Sequence, residues 1–250
     1  RKMKPSGVEW LDDVQEHWTI LALKRLCDVR DGTHDTPEFV TPDENTYPLV
    51  TSKDLIAGYV VIDDEKHISE SDYRSISQRS GVDKGDILMP MIGTVGGAVL
   101  VQSSEQFAIK NIALFKKSAQ YEPRWLQYIL NSKLSTAQFD LEKTGGVQSF
   151  VGLGTLRNLI IPLPTLTEQQ AIAAFLDRET GKIDTLIAKV ETAIEKLKEY
   201  RTALISAAVT GKIMVGADPR VCPDVTNKPQ GNRAGTYTGK WITAKKTENR

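Results

Sequence analysis

The 250-residue chain lacks most of what would mark an enzyme, a membrane protein or a metal protein. No apolar run approaches the roughly 20 residues of a membrane-spanning helix, so no membrane partner is expected. The opening RKMKPSGVEW carries positive charge but no apolar stretch after it, unlike a secretory signal. There are two cysteines, Cys27 and Cys222, far apart in unlike surroundings. Nothing requires them to pair, and reduced thiols in a cytoplasmic protein are expected. The three histidines, His17, His34 and His67, show no metal-ligand spacing with them, so no metal site is expected. There is no G-x-S-x-G, no H-E-x-x-H and no Asn/Asp-Pro-Pro-Tyr segment. Gly93-Thr94-Val95-Gly96-Gly97 lacks the Gly-Lys-Ser/Thr ending of a phosphate loop and reads as a hairpin turn.

An excess of one charge is also missing. Thirty-two basic residues balance 32 acidic ones, yet residues 211–250 hold eight Lys/Arg against three Asp/Glu. A chain that bound nucleic acid by phosphate contacts alone would be more basic. If DNA is the target, the contacts are local or a partner supplies the neutralisation.

What is present divides at about residue 166 into an α+β arrangement: a β-rich domain over 1–166, a helical spacer over 167–213, and a basic tail over 214–250. Candidate strands are Thr19–Leu26, Leu49–Thr51, Tyr59–Ile62, Ile87–Met91, Ala98–Gln102 and Phe107–Phe115, where β-branched residues sit between turn markers. One helix opens at Glu122-Pro123 and places Trp125, Leu126, Ile129, Leu130 and Leu134 on one face. Residues 141–154 read as an exposed loop before a strand, Leu156–Leu163. Thr167 is expected to cap a short helix that Gly181 separates from a long one ending at Gly211. In the long helix Ile183, Val190, Leu197 and Leu204 repeat every seven residues, with Ile187, Ile194 and Ala208 between them and Arg201 the polar intruder. That stripe is a coiled-coil seam, and Lys182 to Thr210 spans roughly 43 Å at 1.5 Å per residue. The tail lacks periodicity and reads as disordered or loosely attached.

One enzyme reading has to be weighed. Pro42-Asp43 followed by Asp64-Glu65-Lys66 matches the loose pattern of magnesium-dependent nucleases, in which Asp43 and Asp64 would hold the metal and Lys66 would aid the attacking water. With so many charged residues the spacing arises by chance, and turn acids beside strands are the favoured explanation. The polar loops are a stronger signal: Asp31-Gly32-Thr33-His34-Asp35-Thr36-Pro37, Thr51-Ser52-Lys53-Asp54, and Lys143-Thr144-Gly145-Gly146-Val147-Gln148-Ser149-Phe150. Their side chains are of the kind that read base edges, and glycine lets backbone approach closely. Loops are also polar simply because they are wet. Trp10 and Trp18 are expected to pack the opening segment rather than stack on bases.

Taken in order, PSGVEWLDDVQEHW, DGTHDTP, YPLVTSKDL, GDILMPMIGTVGGAVLV, GGVQSFVGLGTLRNLIIPLP and the helical PLPTLTEQQAIAAFLDRETGKIDTLIAKVETAIEKLKEYRTALISAAVTGKI resemble the specificity subunits of type I restriction–modification systems. The resemblance covers most of residues 5–212. It implies a non-catalytic chain that reads one half of a two-part site on double-stranded DNA and docks a methyltransferase subunit. S-adenosylmethionine would bind that subunit, and ATP and magnesium the restriction (motor) subunit, with no cofactor on this chain. Full-length members carry two recognition domains and two spacers; this chain has one of each. It therefore reads as a half-subunit that self-associates, as a fragment, or as a chain pairing with another specificity chain. An antiparallel pair would set two recognition domains roughly thirteen base pairs apart at about 3.4 Å each. The resemblance does not fix which residues read bases; the polar loops nominate Thr33, His34, Thr36, Lys53, Gln148 and Ser149 for bases, with Arg79 and Lys110 for phosphates, and the heptad stripe nominates Ile183, Ile187, Val190, Ile194, Leu197 and Leu204 for the partner helix. An assembly protein that no longer reads sequence is the remaining alternative.

Overall fold

The computed structural model describes residues 2–8, 11–56, 58–62, 65–92, 96–141 and 150–213. Their elements run β1 (Met3–Lys4), β2 (Val14–Gln15), β3 (Thr19–Ala22), β4 (Val29–Asp31), β5 (Thr46–Thr51), β6 (Leu55–Ile56), β7 (Tyr59–Val60), β8 (His67–Ser69), α1 (Glu70–Ser80), β9 (Ile87–Pro90), β10 (Val99–Leu100), β11 (Ala108–Lys110), β12 (Ile112–Phe115), α2 (Pro123–Leu130), α3 (Lys133–Leu141), α4 (Leu153–Asn158), β13 (Ile160–Leu163) and α5 (Leu166–Val209). This is the α+β arrangement the sequence predicts. Among the described residues no helix is long and apolar enough to cross a membrane.

The body is built around a sheet ordered β10-β9-β12-β4 and a second ordered β11-β5-β8. Side chains alternate across a strand, and here both faces of the first sheet are covered. Ile87 and Met89 of β9, with Ala113 and Phe115 of β12, enter a core with Leu23, Trp125, Leu126, Leu130, Phe139, Leu156 and Ile161. Leu88, Ile112 and Leu114 point the other way, to Val50, Phe107 and Ile109. Buried side chains of this size each contribute about 1.5–3 kcal/mol, so the two strands serve both cores at once.

The long strand expected over Phe107–Phe115 is two strands. Asn111 has φ 55°, a left-handed conformation that Asn tolerates better than most residues. Before it, β11 pairs in parallel with β5, with Lys110 opposite Thr51; after it, β12 pairs antiparallel with β9 and β4. The chain leaving β4 straddles this switch. The Gly32 amide donates to the Ile112 carbonyl, the Thr33 amide to that of Ile109, and the Asn111 amide to that of Thr33, at 2.9, 2.9 and 3.0 Å. Gly32 is required by space, because a Cβ there would lie 2.2 Å from the Ile109 carbonyl oxygen.

Other boundaries move for local reasons. The strand expected over Thr19–Leu26 ends at Ala22 and turns through a 3-10 segment, Leu23–Arg25. Leu134 does not continue α2, because the Asn131 side chain is drawn to the amide and carbonyl of Ala98 and a new helix, α3, begins at Lys133. The first half of the strand expected over Leu156–Leu163 is instead α4. Helix α1 goes unannounced by periodicity, since only Tyr73 and Ile76 pack inward. Its start is nevertheless written in Ser69, whose hydroxyl accepts from the Asp72 amide. The hairpin between β9 and β10 forms as expected. Residues 93–95 of its turn lie outside the described residues; Gly96 and Gly97 have positive φ.

Helix α5 is continuous, with no break at Gly181. Its cap is Thr165 rather than Thr167. The Thr165 amide and hydroxyl donate to the Glu168 carboxylate while the Glu168 amide donates to the Thr165 hydroxyl, a reciprocal capping box. Gly211, at φ 71°, terminates the helix as expected. Contacts divide the chain into Arg1–Leu186 and Ile187–Arg250. In the first unit the opening turns of α5 are tied to the body. Arg124 and Tyr128 both donate to Asp177, at 2.6 and 2.7 Å. Buried Gln169 accepts from the Glu122 amide and donates to the Pro164 carbonyl.

Gly32→Ala is expected to cost about 1–3 kcal/mol, the usual penalty for overfilling a packed site, read as a lowered urea midpoint with unchanged slope. An unchanged midpoint would contradict the close approach described here.

Candidate nucleic-acid interface

Three strand ends meet at one polar edge of the body. Thr33 bridges Lys110 in parallel, and Lys110 is in register with Thr51 of β5. The loop Thr33–Thr36 therefore lies beside the end of β11, and the 3-10 turn Ser52–Asp54 follows β5 directly. Thr33, His34, Thr36, Arg79 and Lys110 are thus brought together. The Lys110 ammonium donates to the Thr36 hydroxyl, and Arg79 donates to the Gly32 carbonyl at 2.7 Å. Lys53 is exposed on the adjoining turn. That turn is fixed by Asp54, which accepts from the Thr51 amide and hydroxyl and from Lys66. Gln148 and Ser149 lie outside the described residues.

Two residues that were not singled out hold this edge: Asp31 and Asn111. The two ring nitrogens of His34 face Asn111 Oδ1 at 2.9 Å and Asp31 Oδ2 at 3.0 Å. Arg79 lies 3.5 Å from the other Asp31 oxygen. An imidazolium donates from both nitrogens and satisfies both acceptors together. The Asn111 hydrogen bond, then that of Asp31, accordingly raises the His34 pKa above its ordinary 6.5, against the partial burial and the Arg79 charge. The signal for Asn111 was its place in FAIKNIALF: Lys-Asn interrupts an otherwise apolar strand, and Asn favours left-handed backbone.

Among the described residues the nuclease pattern is not brought together. Lys66 donates to Asp54 at 2.9 Å. Asp43 caps its own turn by accepting from the Asn45 amide at 2.7 Å. Asp64 lies outside the described residues. Among the described residues no group of three or more His, Cys, Asp or Glu is placed to hold a metal. Cys27 is buried, and burial, with Asp28 adding, pushes its thiol up to about 12, which removes it as a nucleophile near neutral pH. Trp18 is half-buried, and Trp10 lies outside the described residues.

A second surface lies on α5. Ile183, Ile187, Val190, Ile194, Leu197 and Leu204 are each 42–66% exposed. Thr185, Thr192 and Thr202 turn their hydroxyls back onto carbonyls four residues earlier, satisfying themselves within the helix. A stripe of large apolar side chains this long is an unusual thing to leave in water.

Because the protonated ring is the better-bonded form, His34 stabilises the edge fully below pH 6.5, and that contribution fades as pH rises through its folded-state pKa. An NMR titration is expected to show His34 above 6.5 in the native chain and lower in Asn111→Ala; a native value at or below 6.5 would contradict the double hydrogen bond.

Comparison with known proteins identifies the setting. The family model for the type I restriction modification DNA specificity domain matches residues 15–196. The type I restriction enzyme EcoBI specificity subunit of Escherichia coli is 20% identical over 215 residues, covering 85% of this chain and 43% of that protein. The MjaVIII specificity subunit of Methanocaldococcus jannaschii is 25% identical over 213 residues, covering 82% and 48%. Among solved structures, the HsdS subunit from Thermoanaerobacter tengcongensis superposes with TM-score 0.57 at 21% identity, covering 83% of this chain and 48% of that one. A chain solved in work on complex assembly and conformational transition of the type I R-M system gives TM-score 0.59 at 22% identity, covering 80% and 48%. The chain spans about half the length of the curated relatives it matches. At these identities the superpositions establish the fold, while the family model accounts for most of the sequence: the chain belongs to the type I restriction–modification DNA specificity family.

Proposed function

We propose that this chain reads one half of a two-part double-stranded DNA site for a type I restriction–modification complex, through the edge formed by Asp31–Thr36, Lys110, Asn111, Arg79 and Lys53. The observation that carries the reading is the convergence of donors and acceptors from three strand ends onto one exposed edge, in a chain whose family is defined by DNA specificity. A histidine, a lysine, an asparagine and hydroxyls on a rigid sheet offer the mixture of donors and acceptors that the major groove distinguishes. The chain performs no chemistry itself. A methyltransferase subunit bearing S-adenosylmethionine modifies adenine, and a restriction subunit uses ATP and magnesium. The setting is the cytoplasm.

The apolar stripe of α5 supports the second half of the proposal. It docks the helical spacer of a second copy or of another specificity chain, and the methyltransferase subunit with it. If two copies pair by a two-fold axis, the site they read is two-fold as well.

Co-expression with the methyltransferase subunit, followed by mapping of methylated adenines, tests both halves. A two-part motif is expected, symmetric if two copies pair and asymmetric if another specificity chain completes the complex; an assembled complex that methylates nothing in sequence-dependent fashion would overturn the reading. Val190→Asp with Leu197→Asp is expected to abolish the native-sized complex, and its survival would count against the seam.

A further inference from the structure

An open cleft of about 520 Å³ lies at the far end of β4 from the reading loop, where Val29 faces Phe115. Its charged lining is Lys24, Arg25, Asp28, Lys116, Lys117 and Arg157. Lys116 is matched, lying 2.8 Å from Asp83 and 2.6 Å from Asp86. Asp28 is engaged by Arg30 at 2.7 Å. The other four cations have no carboxylate within ion-pair distance among the described residues. Lys24 donates to the Asn158 side-chain oxygen at 2.7 Å, and Lys117 to the Lys84 carbonyl at 2.7 Å. Arg157 places two nitrogens on the Val29 carbonyl at 3.0 and 2.8 Å, and Arg25 is exposed.

We infer that this cleft holds phosphates of the DNA backbone, flanking the bases read at the other end of β4. The inference rests on the DNA-reading proposal above and extends its footprint. Three of these cations, Lys24, Lys117 and Arg157, are bonded to neutral oxygens; like charges lining one cleft with Arg25 repel one another, and an anion shared between them relieves that repulsion. The anion favoured is a nucleic-acid backbone because the cleft is joined to the reading edge. Arg30 pairs with Asp28 at the cleft and donates to the Arg79 carbonyl at 3.3 Å. Arg79 in turn holds the Gly32 carbonyl of the reading loop. The three residues of β4 cover about 10 Å, or roughly three base-pair steps, so a duplex that meets the loop has backbone within reach of the cleft. This also bears on the charge problem posed by the sequence: in a chain of zero net charge, phosphate contacts must be local, and this cleft lines one place with several cations.

The test uses Arg25→Gln with Lys117→Gln in the complex assembled with the methyltransferase subunit. Binding is measured against salt for a duplex carrying the mapped site and for a scrambled duplex. Loss of two phosphate contacts is expected to weaken both duplexes by a similar factor and to reduce the salt slope by about 1.8. The fall in affinity from about 50 to about 200 mM salt then becomes roughly ten-fold smaller, with the methylated motif unchanged. An unchanged slope would overturn the inference. So would failure of the doubly substituted chain to assemble, which would mark the cleft as a dock for an acidic protein surface, or an altered motif, which would make it a reader of bases. Failure of the underlying reading shows separately, as a native complex that does not distinguish the two duplexes.

Discussion

The left-handed backbone at Asn111 is the constraint on which the proposed reading edge depends. It takes the chain out of one sheet and into another within a single residue, so that β11 and β12 keep different partners. Its amide holds Thr33, its carbonyl accepts from Met91, and its side chain meets His34. Most other residues would pay roughly 1–2 kcal/mol to adopt that conformation. Gly32 is the complementary requirement, because only a residue without a Cβ lets the loop cross over Ile109. The loop's path is set chiefly by backbone hydrogen bonds, with the Arg79 side chain on the Gly32 carbonyl and His34 and Thr36 bonded to Asn111, Asp31 and Lys110.

Charge is arranged with similar economy. Of the cations at the edge, Arg79 secures the loop carbonyl and lies near Asp31, and Lys110 is bonded to Thr36. Both are at least partly exposed, so exchanging those contacts for others would leave no buried charge behind. The neutral overall balance keeps non-selective attraction to nucleic acid low.

The fold class was legible in the sequence because the strong signals are local: β-branched runs between turn markers, a heptad stripe, and Gly211 as a stop. Boundaries failed where tertiary contacts override local pattern. Asn131 ends α2 by bonding to Ala98, far away in sequence. Gly181 does not interrupt α5, because a glycine inside a long helix costs only about 1 kcal/mol relative to alanine. Helix α1 was invisible to periodicity because it buries so few apolar residues, although Ser69 and Asp72 spelled out its start. At the reading edge, the loop 31–37 stood out by composition. The role of Asp31 within it and the place of Asn111 did not, since they arise only when β4 is brought against β11 and β12. The partnership of Arg79 with that loop joins residues 47 apart in sequence, and no spacing rule announces it.

The most direct test of the account places a photo-crosslinking amino acid at Asp35, an exposed loop position whose side chain takes no part in the Asp31–His34–Asn111 network. Irradiation of the assembled complex on DNA carrying its own site is predicted to join position 35 to bases inside the methylated motif. Crosslinks only to the methyltransferase subunit, with bases captured instead from a control position such as Glu44, would contradict the assignment of this edge as the DNA-reading surface.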